Sequence, residues 1–276
     1  MAKLRFGPGG IPRPAKKGGI LEGINYCKEH ELGCMEMEFV HSTWLKEEQA
    51  PEVKQAAKEA DVALTAHGSY YVNLNAKEEK KRAASRNRIL SAAYRTWQAG
   101  GKSVTFHPAY YLKQDPDKVY ETVKEQMKLI LKQLQEDSVD ITISPETTGK
   151  PTQMGTYKEL CKLASELEQT ALCVDFAHLH ARTNGAYNTY EEYSEVLETV
   201  EEHLGREGLR EMHIHLSGIA YGEKGEKHHL ECRESDMNWD DLFRAFKDYN
   251  VGGYVISESP IIEEDAMWMK QHYEQI

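Results

Sequence analysis

The sequence predicts an α/β protein folded as a single-domain (β/α)8 barrel, the TIM-barrel architecture, over residues 1–276. Three observations lead there. The length of 276 residues suits one such barrel. Eight short β-favouring runs alternate with charged, helix-favouring segments, which calls for a parallel sheet covered by helices. No GxGxxG follows the first run and no GxxxxGK[ST] occurs anywhere, so an open nucleotide-binding sheet lacks its usual signatures.

The eight expected strands are LRFG (4–7), CMEMEF (34–39), VALTAH (62–67), SVTFH (103–107), DITISPE (140–146), ALCVDF (171–176), EMHIHL (211–216) and YVISE (254–258). After the first, the glycines of FGPGGIP (6–12) read as a tight turn. The basic stretch 76–99 reads as a helix stopped by Gly100-Gly101. Helical spacing of apolar residues marks 123–136 (Met127, Ile130, Leu131, Leu134), 157–168 (Leu160, Leu163, Ala164, Leu167) and 191–204 (Val196, Leu197, Val200, Leu204). Long loops are expected at 177–188 and 217–238, where Gly, Asn, His and charge cluster without apolar period.

Composition narrows the function. The formal net charge of −11 argues against a generic polycationic nucleic-acid binder. Three divalent cations, six positive charges, would bring −11 to −5 and concentrate the added charge in one pocket. The five cysteines (27, 34, 161, 173, 232) form no CxxC pair, and the N-terminus MAKLRFG does not read as a signal peptide. Reduced thiols and a cytoplasmic location are therefore expected. No apolar run approaches the roughly 18 residues of a membrane span.

Six successive strands carry a metal-type side chain at or just past their C-terminal end: His67, His107, Glu146, Asp175 with His178, His215, and Glu258. Any one has an ordinary explanation. A lone strand-end histidine is commonly structural, and a lone acid commonly caps a helix. Glu146 in particular sits in TISPETTGK, where Thr147, Thr148 and Gly149 favour a turn. A barrel, however, gathers all its strand ends around one centre, where catalytic groups sit. Four histidines and three carboxylates without thiolate suit zinc, manganese or iron. So many acids would repel one another unless divalent ions joined them, and such ions also acidify a water towards pH 7. In EKGEKHHLE (223–231), Glu226 and His228 lie within reach of the same rim, and His229 is able to take the place of His228. His180, in a loop, and His213, two positions deeper than His215, are expected to support the site rather than ligate.

At these positions the chain resembles the endonuclease IV family of abasic-site endonucleases, chiefly over residues 60–260. HGSYYVNL (67–74) is similar to that family's HxPYxxNL, FHPA (106–109) to FHPG, PETTG (145–149) to ENTAG, and VDFAHLHARTNG (174–185) to DTCHxxAAG. HLSG (215–218) stands where the family has HLNDS, EKH (226–228) where it has DRH, and ESP (258–260) where it has ETP. The resemblance implies three zinc ions, with manganese an alternative. One would be held by His67, His107 and Glu146, a second by Glu146, Asp175, His215 and Glu258, and a third by His178, Glu226 and His228. It implies hydrolysis of damaged double-stranded DNA on the 5′ side of an abasic site, as in base-excision repair. Glu146 and Glu258 would be the catalytic carboxylates, and Tyr70 and Tyr71 would enter the DNA stack. Lys80, Lys81, Arg82, Arg86 and Arg88 are candidates for phosphate contacts, although a solvated helix face also explains them. No protein partner is inferable.

The chain departs from the family at Glu226, where the family has aspartate, at Ser217-Gly218, and throughout the second strand. Glu36 and Glu38 on that strand resemble sugar isomerases and epimerases of the same superfamily, which makes a sugar or sugar-phosphate isomerase the alternative. A non-catalytic metal- or nucleic-acid-binding descendant is the third reading.

Overall fold

The computed structural model describes residues 3–276. Eight parallel strands form the barrel: β1 (Leu4–Pro8), β2 (Cys34–Glu38), β3 (Ala63–His67), β4 (Ser103–Phe106), β5 (Thr142–Pro145), β6 (Cys173–Asp175), β7 (Met212–Leu216) and β8 (Gly253–Ser257). Pairing runs β2-β3-β4-β5 on one side and β1-β8-β7-β6 on the other. Parallel bridges close the ring, Glu146 to Cys173 between β5 and β6 and Gly9 to Glu36 between β1 and β2. The β1–β2 seam needs glycine. A Cβ on Gly7 would lie 1.8 Å from the Cys34 carbonyl oxygen.

The period of two along each strand decides what faces where. Met35, Met37, Leu64, Val104, Phe106, Ile143, Val174, Ile214 and Val255 belong to the apolar clusters under the helices. Glu36, Thr65, His67, Ser103, Thr105, Ser144, Asp175, His213 and His215 occupy the alternate positions and are buried as well. The barrel interior is therefore polar, with its ionisable groups gathered towards one end.

Nine helices surround the described strands: α1 (Gly19–Glu29), α2 (Ala50–Ala60), α3 (Glu79–Gln98), α4 (Pro116–Glu136), α5 (Tyr157–Glu166), α6 (Phe176–Arg182), α7 (Tyr190–Arg210), α8 (Trp239–Asp248) and α9 (Ile262–Gln275). Local chemistry sets their ends. Asp115 accepts from the amides of Asp117 and Lys118 ahead of Pro116 to start α4, and its buried face includes Met127, Ile130, Leu131 and Leu134. Capping boxes of Thr156 with Glu159 and Thr189 with Glu192 start α5 and α7. α7 continues past the expected 204 across a kink at Gly205, which has φ 68°.

Both expected long loops are largely structured. Residues 176–182 of the first form α6, so His180 is helical rather than in a loop. Asp175 supplies the cap that the apolar pattern could not reveal, its Oδ1 accepting from the His178 amide at 2.7 Å. The second contains an antiparallel hairpin, Gly218–Gly222 with Gly225–Leu230. No helix among the described residues is long and apolar enough to cross a membrane.

Candidate metal centre

Glu146, immediately after β5, is the hub. Its carboxylate lies 3.2 Å from His67 Nε2, 3.3 Å from His107 Nε2, 3.1 Å from His178 Nδ1 and 3.3 Å from His215 Nδ1. The next residue anchors it. Thr147 Oγ1 accepts from the Asp175 amide at 2.8 Å and donates to the Asp175 carbonyl at 3.1 Å, tying the end of β5 to the end of β6. Arg182 on α6 then binds the loop that follows, donating to the carbonyls of Thr148, Lys150 and Gln153. The sequence reading gave Arg182 no role; only the fold of α6 brings it to that loop.

Backbone carbonyls orient three imidazoles. A carbonyl can only accept, so the facing nitrogen must carry a proton, and the other nitrogen is the one a cation would meet. His67 Nδ1 donates to Gly68 O at 2.7 Å, His178 Nδ1 to Thr147 O at 3.0 Å, and His229 Nδ1 to Glu258 O at 2.9 Å. Each Nε2 would thereby face a cation, and that of His67 lies 3.2 Å from a Glu146 carboxylate oxygen.

Among the described residues five side-chain groups bring their ligand atoms within 4.8 Å of one another; Cys173 with His213 and His215, and Glu36 with Glu38 and Glu258, make two, and the other three adjoin one another through Glu146 and Asp175. Those three are His67, His107 and Glu146; Glu146, Asp175, His215 and Glu258; and Asp175, His178 and His229. Glu226 Oε2 lies 3.6 Å from His178 Nε2, beside the last group.

His228 does not join them. The hairpin carries a bulge: Ala220 pairs with His228 but Tyr221 with Glu226, leaving Lys227 as the extra residue. One extra residue inverts the alternation beyond it. Glu226 and His229 therefore share the inward face, whereas His228 is exposed. A plain period of two puts residues 226 and 228 on one face, so the expectation for His228 is corrected to His229.

Carboxylates and imidazoles at the centre hold one another ionised. Burial opposes ionisation of Glu146, yet the charges of His107 and His215 hold its carboxyl well below the usual range. Burial alone would lower His67, but Glu146 beside it pushes the imidazole up to about 10. Burial would raise Glu258, and His215 brings it down to about 2. Asp175 is pushed up to about 6, chiefly by burial. The carboxylates thus draw their compensation from imidazolium protons. Glu146 Oε1, Asp175 Oδ2 and His215 Nδ1 are also buried without hydrogen-bond partners, an expensive condition for polar atoms. A donor set of N and O atoms with convergent orphans fits divalent cations of the zinc or manganese type.

Around the rim, Tyr70 and Tyr71 are 55% and 61% exposed. The Tyr70 ring is 5.4 Å from that of His67. The basic face of α3 is largely engaged within the protein. Lys81 pairs with Glu78, Arg82 and Arg86 with Glu79, and Arg88 donates to the Tyr71 carbonyl. His213 is buried against Glu36 and Ser103, and His180 bonds to Ala186 O and Asp236. His213 also brings a ligand atom within 4.8 Å of those of Cys173 and His215.

Residues 24–272 match the family described as xylose isomerase-like TIM barrel. The chain belongs to that family. Within it, an uncharacterized protein of Methanocaldococcus jannaschii is 39% identical over 99% of this chain and 98% of its own. A probable endonuclease 4 of Halorhodospira halophila is 25% identical over 80% of this chain and 75% of its own. Among solved structures, a D-tagatose 3-epimerase-like protein superposes with a TM-score of 0.74 at 16% identity, covering 99% of this chain and 96% of its own. That last likeness shows the fold alone. The chain is thus similar in sequence to a protein named endonuclease 4 and in fold to one named D-tagatose 3-epimerase-like, so the side chains must discriminate between activities.

Proposed function

We propose that the protein is a metal-dependent phosphodiesterase of the endonuclease IV type, cleaving duplex DNA on the 5′ side of abasic sites. The observation that carries this reading is the presence of three adjoining donor groups that share Glu146 and Asp175. A single-ion isomerase centre is complete with Glu146, Asp175, His215 and Glu258, and has no use for the flanking groups. In this reading one ion falls to His67, His107 and Glu146, a second to Glu146, Asp175, His215 and Glu258, and a third to His178 and Glu226 with His229 in place of the His228 that position alone would give. Divalent cations there would polarise phosphate oxygens and acidify a water.

The chain's own groups do the rest. Glu146 and Glu258 accept or steer the proton of the attacking water. Their imidazole neighbours hold both carboxylates ionised. Tyr70 and Tyr71 occupy the vacancy where a base is missing, a site at which opening the stack is least costly. Metal analysis of gently purified protein tests the reading, which expects about three equivalents per chain. About one equivalent, with Glu226 and His229 not engaged, would favour the isomerase.

One observation favours that second reading. A cavity of about 510 Å3 opens beside Glu38 between Gly9, Gly10, Trp44 and Pro260. It has the room and the aromatic wall for a monosaccharide, and Glu38 on its lining brings a ligand atom within 4.8 Å of one of Glu258. Assay of ketose epimerisation with the same metal-loaded protein separates the two activities.

A further inference from the structure

Below the metal centre the barrel contains a column of hydrogen-bonded polar side chains, where such barrels are usually filled by branched apolar ones. Glu36 on β2 is wholly buried there. Its Oε2 accepts from Thr65 Oγ1 at 2.7 Å and from His213 Nε2 at 2.8 Å. His213 is held at Nδ1 by Ser103 Oγ at 3.0 Å, and Ser103 Oγ lies 2.8 Å from Ser144 Oγ. With both donors on one oxygen, the carboxylate is fixed and its Oε1 is left without a hydrogen bond. That oxygen is 2.9 Å from His215 Nε2, although neither nitrogen of His215 makes an aligned hydrogen bond. The second nitrogen, Nδ1, is 3.3 Å from Glu146 Oε1 and from Glu258 Oε1.

The geometry points to Glu36 as a positioning residue for His215. Its free oxygen takes the Nε2 proton of the ring, so that Nδ1 faces Glu146, Asp175 and Glu258 with its lone pair available. A modest rotation of the ring aligns Nε2–H with Oε1, and a cation at Nδ1 then satisfies the remaining orphan. Thr65 and His213 keep the carboxylate from turning away. A carboxylate behind a ligating imidazole fixes tautomer and orientation and raises ligand basicity. The inference rests on the proposed metal centre and adds a residue that touches no ion.

Glu36→Gln is the informative change. With its carbonyl oxygen retained by Thr65 and His213, the glutamine turns its NH2 towards His215 Nε2. That donor favours the proton on Nδ1, the tautomer unable to ligate from that atom. Cobalt(II) titration against a competing chelator, read by visible absorption, measures each ion's affinity without reference to activity. The expected result is unchanged stoichiometry, one ion weakened by about 10–100-fold, and an altered cobalt spectrum. Nitrogen-15 spectra of the imidazoles should show the His215 proton moved from Nε2 to Nδ1. Wild-type affinity and tautomer in Glu36→Gln would overturn the inference. So would outright loss of one ion, which would make Glu36 a ligand itself. If Glu36→Gln does not fold, Thr65→Val decides: it keeps the carboxylate but frees it to turn, so affinity should fall by a smaller factor, and no change would overturn the assignment. Wild-type protein that takes up no cobalt would refute the metal centre itself, a separate failure that takes this role with it.

Discussion

Glu258 reports on chemistry at the scale of one residue. Glu258→Gln keeps the size of the side chain and removes a negative charge from beside the proposed position of the attacking water. The core does not depend on it, so the variant should fold, and most of its metal should remain because other ligands hold each ion. Cleavage of an abasic duplex should fall by about 100-fold or more while binding to that duplex persists. Equal cleavage by variant and wild type would remove Glu258 from the mechanism. The two neighbouring histidines make a second residue-scale test. His229→Ala should lose about one equivalent of metal and His228→Ala none, because only His229 faces Asp175 and His178. Loss from His228→Ala instead would restore the straight-strand register. The convergence of the strand-end side chains was legible because each lies at or within a few residues of a strand's end, and a barrel gathers those ends around one centre. His229 was ambiguous because a bulge at Lys227 is a one-residue event with no periodic trace. Arg182 was illegible, since its partners are carbonyls of a loop about thirty residues earlier in the chain.

The turn after β5 shows how a whole element holds the site. Gly149 lies against the hairpin and α6; a Cβ there would stand 2.7 Å from Glu226 Cβ and 2.9 Å from His178 Cδ2. A Cβ on Gly225, which has φ 87°, would lie 2.2 Å from the Gly149 carbonyl oxygen. Gly149→Ala must therefore displace two of the side chains proposed for the third ion. Thermal unfolding should show a loss of about 1–3 kcal/mol, typical of overpacking. Metal analysis should show about one equivalent lost, with the His67 and His107 end still filled. Full occupancy in this variant would detach the third ion from Glu226 and His178. The loop expectations failed at this scale for a physical reason. α6 is short and its start depends on an Asp175 side chain that also serves the site, while the hairpin pairs polar residues whose pattern gives no apolar alternation.

Across the whole molecule, the barrel follows from repetition, and its polar interior follows from which member of each alternating pair is ionisable. The same alternation sends the apolar partners outward under the helices, and no disulfide is needed to stabilise the result. All five cysteines are free and buried. Burial pushes the Cys27 and Cys161 thiols up to about 12, so thiolate is scarce near neutral pH. A thiol reagent should react with the native protein only as fast as it unfolds, and with five groups once denaturant is added. Rapid reaction under native conditions would contradict the packing described here.

The central claim, that the gathered ligands serve phosphodiester hydrolysis at a damaged site, is met most directly by incubating metal-loaded protein with a duplex containing one abasic site. The account predicts a single nick on the 5′ side of the lesion with a 3′-hydroxyl end, abolished by chelation and restored by zinc or manganese. An intact duplex, from protein shown to carry about three ions per chain, would contradict it.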